Sequence, residues 1–199
     1  MSHLYPWFKH KFSDRVLASV REQIIQIFDE NSTVLDMGCG TGDLLIRAAP
    51  KIKSGLGIDL NKSLVNFANQ TKEKKKISNI NFLHQDIHQA NDIFAHFNNL
   101  TCTLFLHSLP FEEGIYFLST VAQSGIRLIV CDYERPNRLV GKLSVELDEL
   151  ISGHYKHFYI YRNKGGLKSM AKAANIKIIH KEKTSIDGLY LTVLEGICE

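Results

Sequence analysis

A run of glycines, three aspartates and one histidine are the residues of this chain whose types and spacing could do chemistry. In Val34-Leu35-Asp36-Met37-Gly38-Cys39-Gly40-Thr41-Gly42-Asp43, glycine recurs at alternate positions. Glycine there can take positive φ and let the backbone approach a ligand with no Cβ in the way. Asp36, just ahead of the run, stands where a buried carboxylate can organise the turn. Asp59, in Gly57-Ile58-Asp59-Leu60, can accept two hydrogen bonds from a ribose diol, a role that suits an acceptor-only group. Asp86, in His84-Gln85-Asp86-Ile87, can accept from an exocyclic amine while the Ile87 N–H meets a ring nitrogen. Thr103 through His107 would face the reactive end of such a ligand. His107 titrates near neutral pH and is the candidate general base, unless its ring only fixes its own loop. Plainer roles stand beside these: Asp36 as a turn organiser alone, Asp59 and Asp86 as caps, Thr103 as a sheet residue.

The elements that must position these groups follow from the hydrophobic pattern. Residues 13–30 read as an amphipathic helix, with Val16, Leu17, Val20, Ile24, Ile27 and Phe28 at helical spacing and Ser13 as its cap. The aromatic cluster Tyr5, Trp7, Phe8 and Phe12 would pack that helix onto the domain edge or form a lid over a pocket. From Thr33 strands and helices alternate. Strands are expected at Val34–Met37, Gly55–Leu60, Ile80–His84, Leu100–Leu106 and Arg127–Asp132. Helices are expected at Asp43–Ala49, Lys62–Lys75, near Asn91–Phe97, and at Phe111–Gln123. Asn137–Ile151 and Gly165–Ala174 also read as helices, followed by strands Ile176–Lys183 and Leu189–Leu194 about a turn at Asp187-Gly188.

Such alternation gives right-handed βαβ units and a largely parallel sheet covered on both faces. The closing hairpin makes the sheet mixed. The expected fold class is α/β: a doubly wound, Rossmann-like sheet of seven strands with an antiparallel final strand and helices on both faces. The chain reads as a single domain over 1–199, with an N-terminal helical or lid segment at 1–30, a cofactor-binding core at 31–133, and acceptor-site helices with the terminal hairpin at 134–199.

A length of 199 residues suits one such domain. The net charge of +3 and the pI near 8.6 fit acidic small molecules and argue against a nucleic-acid partner. Cys39, Cys102, Cys131 and Cys198 stand far apart with no metal-binding spacing. Cys102 and Cys131 read as buried hydrophobes of a reduced, intracellular protein. No run reaches the ~18 apolar residues of a membrane span, and no signal-peptide stretch opens the chain. The expected location is the cytoplasm.

The dinucleotide fingerprint G-x-G-x-x-G would need a third glycine at position 43, where this chain has Asp43. Instead D-M-G-C-G-T-G, G-I-D-L, H-Q-D-I and T-C-T-L-F-L-H-S-L-P resemble, in order, the motifs of class I S-adenosylmethionine-dependent methyltransferases of the small-molecule type. The resemblance spans about residues 31–133, and the terminal hairpin is similar to the seventh, antiparallel strand of that fold. It implies S-adenosyl-L-methionine as the cofactor, with Asp36 and Thr41 among its binding residues. Gly38, Cys39 and Gly40 would lie against the methionine moiety, and Thr103 would offer its backbone to the same part. Asp59 would hold the ribose hydroxyls, Leu60 would cover the adenine, and Asp86 with Ile87 would bind the adenine edge.

Methyl transfer from a sulfonium is an in-line displacement in which the protein aligns the nucleophile, excludes water and sometimes removes a proton. The segment Asp132-Tyr133-Glu134-Arg135-Pro136 and the residues His154, Tyr155, His157, Tyr159 and Tyr161 are candidates to line an acceptor pocket. The family's Asn-Pro-Pro-Tyr or Asp-Pro-Pro-Tyr motif is absent after the fourth strand, as is a Pro-Cys pair for attack on a pyrimidine. A small organic acceptor is therefore the first reading. The alternatives are a non-catalytic cofactor-binding partner module and a methyltransferase acting on RNA or protein. A nicotinamide oxidoreductase rests on the glycine turn alone. No motif sets an oligomeric state or the atom methylated.

Overall fold

Short β-branched runs separated by amphipathic segments build the sheet and its helices. The computed structural model describes residues 17–86, 91–134 and 155–196. The N-terminal aromatic cluster, Ile87, Arg135, Pro136, the helix expected at Asn137–Ile151, His154 and Cys198 lie outside the described residues, as does the side chain of Tyr155. In chain order the elements are α1 (Ala18–Gln26), β1 (Thr33–Met37), α2 (Asp43–Ala48), β2 (Ser54–Asp59), α3 (Lys62–Lys74), β3 (Ile80–His84) and β4 (Asn99–Thr103). They continue with α4 (Phe111–Ser124), β5 (Arg127–Tyr133), α5 (Tyr155–Asn163), α6 (Gly166–Ala173), β6 (Ile176–Lys183) and β7 (Leu189–Gly196). Single 3-10 segments cover Asn91–His96 and Leu106–Ser108.

The seven strands stand in one sheet in the order β3-β2-β1-β4-β5-β7-β6. β1 and β3 pair parallel to β2, and β7 runs antiparallel to β5 and β6. This is the mixed, Rossmann-like fold expected from the alternation of elements. By proximity along the backbone the chain forms two compact units, residues 1–101 and 102–199.

In the first unit Val34, Leu35, Met37, Ile58 and Ile80 are fully buried on the strands. α3 presents Leu64, Val65 and Ala68 inward and begins at Asn61, whose side chain accepts from the Ser63 and Leu64 N–H groups. Gly55 on β2 lets α2 lie close, since a Cβ there would stand 3.0 Å from Leu45 Cδ2. In the second unit the core is Leu128 through Cys131 on β5, Phe117, Leu118 and Val121 on α4, and Leu189, Leu191 and Leu194 on β7. β6 is the outer strand, carries a bulge between Ile178 and His180, and buries only Ile176.

Three elements depart from the sequence expectation, the first being α1, which ends at Gln26 where a helix is expected to residue 30; the other two bear on the site. β4 stops at Thr103 instead of running to Leu106. Leu104 takes a φ of +52°, with its N–H on the Cys131 carbonyl at 2.8 Å, and the chain turns into the 3-10 segment that carries His107. His107 is thus in a turn, not on the strand. The last departure is α5, which occupies a His/Tyr-rich stretch that carries no helical expectation. Its buried residues, among those described, are the aromatics Phe158 and Tyr161, set in a run of similar composition. Among the described residues no helix is long and apolar enough to cross a membrane. Nor does any group of three His, Cys, Asp or Glu among them suit a metal. Cys39, Cys102 and Cys131 are buried thiols that form no disulfide among the described residues.

Candidate functional site

The glycine turn between β1 and α2 is built from backbone bonds. Gly38, Gly40 and Gly42 have φ of 70°, 56° and 74°. The Gly38 and Cys39 N–H groups both point at the Ile58 carbonyl, at 2.9 and 3.1 Å, and the Gly42 N–H closes onto the Cys39 carbonyl at 2.9 Å. Gly42 also has to be glycine for space, because a Cβ there would stand 2.5 Å from Cζ of the buried Phe82. Gly57 lets the turn settle on β2, since its Cβ would meet Cys39 Sγ at 2.8 Å. Phe82 and Gly57 are structural parts of the cradle that spacing alone did not reveal.

Asp59 stands at the tip of β2 and organises this turn. One carboxylate oxygen accepts the Gly40 N–H at 2.8 Å and the other accepts the Asn61 N–H at 2.7 Å. Two backbone bonds leave further lone pairs on a half-buried carboxylate. Leu60 beside it is 63% exposed, an apolar side chain held out of the core. His84 at the end of β3 bonds through Nε2 with the Leu60 carbonyl at 3.0 Å, and the Gln85 N–H donates to the Asp59 carbonyl at 3.3 Å. Asp86 follows as a half-buried residue, and Thr41 is buried within the turn.

Asp36 does something different from what its place suggested. It is buried on β1, and its carboxylate accepts the Thr101 hydroxyl at 2.7 Å; the turn's N–H groups go to Ile58, Cys39 and Asp59 instead. Burial pushes the Asp36 carboxyl up from 3.8 to about 7, with the Asp59 charge adding to the rise and the Thr101 hydroxyl and Arg21 opposing it. Asp43, where a dinucleotide turn would have glycine, is a buried carboxylate clasped by Arg21 at 3.0 Å and Arg47 at 2.7 Å. Thus the residue that breaks the dinucleotide spacing ties α1 to α2.

In the second unit His107 and Asp132 form a buried pair. The ring Nδ1 bonds Asp132 Oδ1, the His107 N–H donates to Oδ2 at 3.1 Å, and the Tyr133 N–H donates to Oδ1 at 2.7 Å. Tyr133, Phe158 and Tyr161 enclose the imidazole with ring centroids 5.0, 6.0 and 6.4 Å away. His107 is 4% exposed and Asp132 2%. The Tyr161 hydroxyl accepts the Leu167 N–H at 3.0 Å. Burial, together with the charge of Asp132, holds that phenol well above its ordinary range. The Thr103 hydroxyl oxygen is buried without a hydrogen-bond partner among the described residues. Of the expected residues, Gly38, Cys39, Gly40, Thr41 and Asp59 share the glycine turn, with Leu60 next to it. Asp86 follows β3, Thr103 and His107 belong to the second unit, and Ile87 is not among the described residues.

A family model described as a methyltransferase domain matches residues 28–184. An uncharacterised RNA methyltransferase of Mycoplasma mobile is 35% identical over 78 residues, which is 39% of this chain and 22% of the relative. The chain spans only 11–26% of the length of the curated relatives it matches first. Among solved structures, an S-adenosylmethionine-dependent methyltransferase from Aquifex aeolicus superposes with a TM-score of 0.64 at 17% identity, over 92% of this chain and 93% of that one. Magnesium protoporphyrin IX methyltransferase from Synechocystis, solved with bound S-adenosylhomocysteine, superposes with a TM-score of 0.60 at 22% identity, over 92% of this chain and 81% of that one.

Proposed function

We propose, from the premise that this chain belongs to the class I S-adenosyl-L-methionine-dependent methyltransferase family, that it moves a methyl group onto a small organic acceptor by in-line displacement. The observation that carries this reading is Asp59, which fixes the glycine turn through Gly40 and keeps acceptor capacity at the strand tip beside the exposed Leu60. Those groups fit a nucleoside: a carboxylate for two hydroxyls and an apolar side chain for one ring face. When bound, S-adenosyl-L-methionine supplies an electrophilic sulfonium methyl. Gly38, Cys39 and Gly40 would lie against its methionine part, with the Thr103 backbone addressing the same part and Asp36 and Thr41 among the binding residues. Asp59 and Leu60 would hold ribose and adenine, and Asp86 with Ile87 the adenine edge.

His107 is the proposed general base. With Nδ1–H donated to Asp132, the neutral ring carries its lone pair on Nε2, the atom that would take a proton from a hydroxyl or amine acceptor. Asp132 sets that tautomer, a positioning role. Reading 1–199 as a single domain belongs to the same proposal and is supported by the family match over 28–184. A small acceptor is supported by the absence of the motif that holds a planar amide or exocyclic amine and of the Pro-Cys pair for attack on a pyrimidine, and by similarity to a protein named for a porphyrin substrate. Labelled cofactor tested against small metabolites, RNA and protein checks it. Label is expected on a small-molecule fraction; transfer only to RNA or protein contradicts the acceptor, and silence on every class with intact cofactor binding contradicts catalysis.

A further inference from the structure

The helical hairpin α5–α6 carries a charge distribution that the methyl-transfer reading does not use. From Tyr155 to Asn175 the sequence holds Lys156, Arg162, Lys164, Lys168 and Lys172 and no Asp or Glu at all. Continuing through β6 adds Lys177, Lys181 and Lys183 against Glu182 alone, whereas the rest of the chain has 16 basic and 20 acidic residues. The net +3 is therefore an average over a basic segment and a net acidic remainder.

The fold gives this segment an inside and an outside. α5 and α6 meet at Gly165 and Gly166, with φ of 94° and 61°, and Phe158, Tyr161, Leu167, Met170 and Ala171 face inward. The bond from the Leu167 N–H to the Tyr161 hydroxyl pins one helix to the other. Outward on α5, Lys156, Tyr159 and Arg162 recur every three residues, and on α6 Lys168 and Lys172 are one turn apart. Tyr159 is 48% exposed with the Arg162 guanidinium 5.8 Å from its ring centroid. Lys164 pairs with Glu112 of α4, while Lys156, Lys168 and Lys172 are exposed with no ion pair among the described residues. Solvated helices usually interleave signs; cations alone at four-residue spacing repel one another by a few tenths of a kcal/mol per pair.

We propose that the outward side of the α5–α6 hairpin binds single-stranded nucleic acid, with Lys156, Arg162, Lys168 and Lys172 on phosphates and Tyr159 stacked against a base. Cations flanking an exposed aromatic ring are the components of a sequence-tolerant single-strand platform. An anionic membrane would instead favour exposed aliphatic groups beside the cations, and the outward residues named here include none. The inference goes beyond the methyl-transfer reading and does not rest on it.

Fluorescence anisotropy tests it on the full chain, with a labelled twelve-nucleotide uridine RNA, its DNA counterpart, and phosphatidylserine vesicles as the competing surface. Binding to a strand is expected, with a log–log salt slope of about −3 for four phosphate contacts. K168E/K172E should weaken it at least about tenfold, and Y159A about tenfold at an unchanged salt slope. Both variants should keep the thermal midpoint and S-adenosylhomocysteine affinity of the parent. Equal binding of the two strands supports a backbone-and-stacking surface, and a preference for one identifies the strand. No binding to either strand at 50 mM salt, binding to vesicles only, or unchanged affinity in K168E/K172E overturns the proposal. Unchanged affinity in Y159A overturns the stacking contact.

Discussion

The glycine turn and the His107–Asp132 cluster both hold polar groups out of water, and they do so with opposite materials. The turn is mostly backbone: four N–H groups are satisfied by two carbonyls and one carboxylate, and three positive φ values make the shape. The cluster is mostly side chain: one carboxylate accepts three hydrogen bonds, and aromatic rings from β5 and α5 close around the imidazole. A backbone-built site is encoded in a contiguous run of glycines. A side-chain-built site is assembled from residues far apart: His107 and Asp132 can each be named from the sequence, but their pairing across 25 positions cannot.

Substitutions that separate stability from cofactor binding sharpen or break this contrast. The largest effect is expected for Asp132→Ala, which strips three hydrogen bonds from a buried centre. It should cost about 3–5 kcal/mol in denaturant unfolding while S-adenosylhomocysteine affinity stays within about twofold. A loss below 1 kcal/mol would mean the cluster is not the anchor described. Next is the pH dependence set by Asp36. Its carboxyl is raised in the fold from 3.8 to about 7, so the folded state holds a proton that the unfolded chain has released. That contribution is fully present below about 4, falls as pH rises through 7, and corresponds to at most roughly 4 kcal/mol. Asp36→Asn keeps an acceptor for Thr101 and should flatten the decline between pH 5 and pH 8, measured by urea unfolding at each pH. A slope equal to the parent's would place the titration elsewhere.

Gly42→Ala combines a φ of +74° with a Cβ driven into Phe82. It should cost about 2–4 kcal/mol and lower the thermal midpoint by roughly 5–15 °C, and it should weaken the cofactor as well, unlike Asp132→Ala. The smallest effect belongs to Arg47→Ala. Its side chain is 37% exposed and Asp43 keeps Arg21, so the expected loss is under about 1 kcal/mol. A larger loss would show that Arg21 alone does not satisfy the buried carboxylate.

The strands and most helices could be read because apolar runs and glycine turns are local signals. The apolar run overstates β4 because Leu104, a residue type that gives no hint of positive φ, leaves the strand to bond Cys131. The pattern does not mark α5 because its buried residues among those described are aromatics, Phe158 and Tyr161, in a run that also has the exposed Tyr159. At the site, Asp59 stood out as a carboxylate at a strand tip. Its bond to Gly40, Asp36's partner Thr101 and Asp43's two arginines are long-range pairings that a linear pattern does not carry. Charge was legible in part: the sequence shows the cations Lys156, Arg162, Lys164, Lys168 and Lys172 in order, but only the fold shows which of them face outward.

Titration of S-adenosylhomocysteine into the parent chain and Asp59→Ala, read by thermal shift with NAD as the comparison ligand, tests the cofactor reading most directly. At about 100 times its Kd the ligand should stabilise the parent by about 2.7 kcal/mol, a rise of roughly 5–10 °C. Asp59→Ala should lose most of that rise, and NAD should give none. A shift with NAD and none with S-adenosylhomocysteine, or a full shift in Asp59→Ala, would contradict the assignment of the β2 tip as the place where the cofactor's ribose is held.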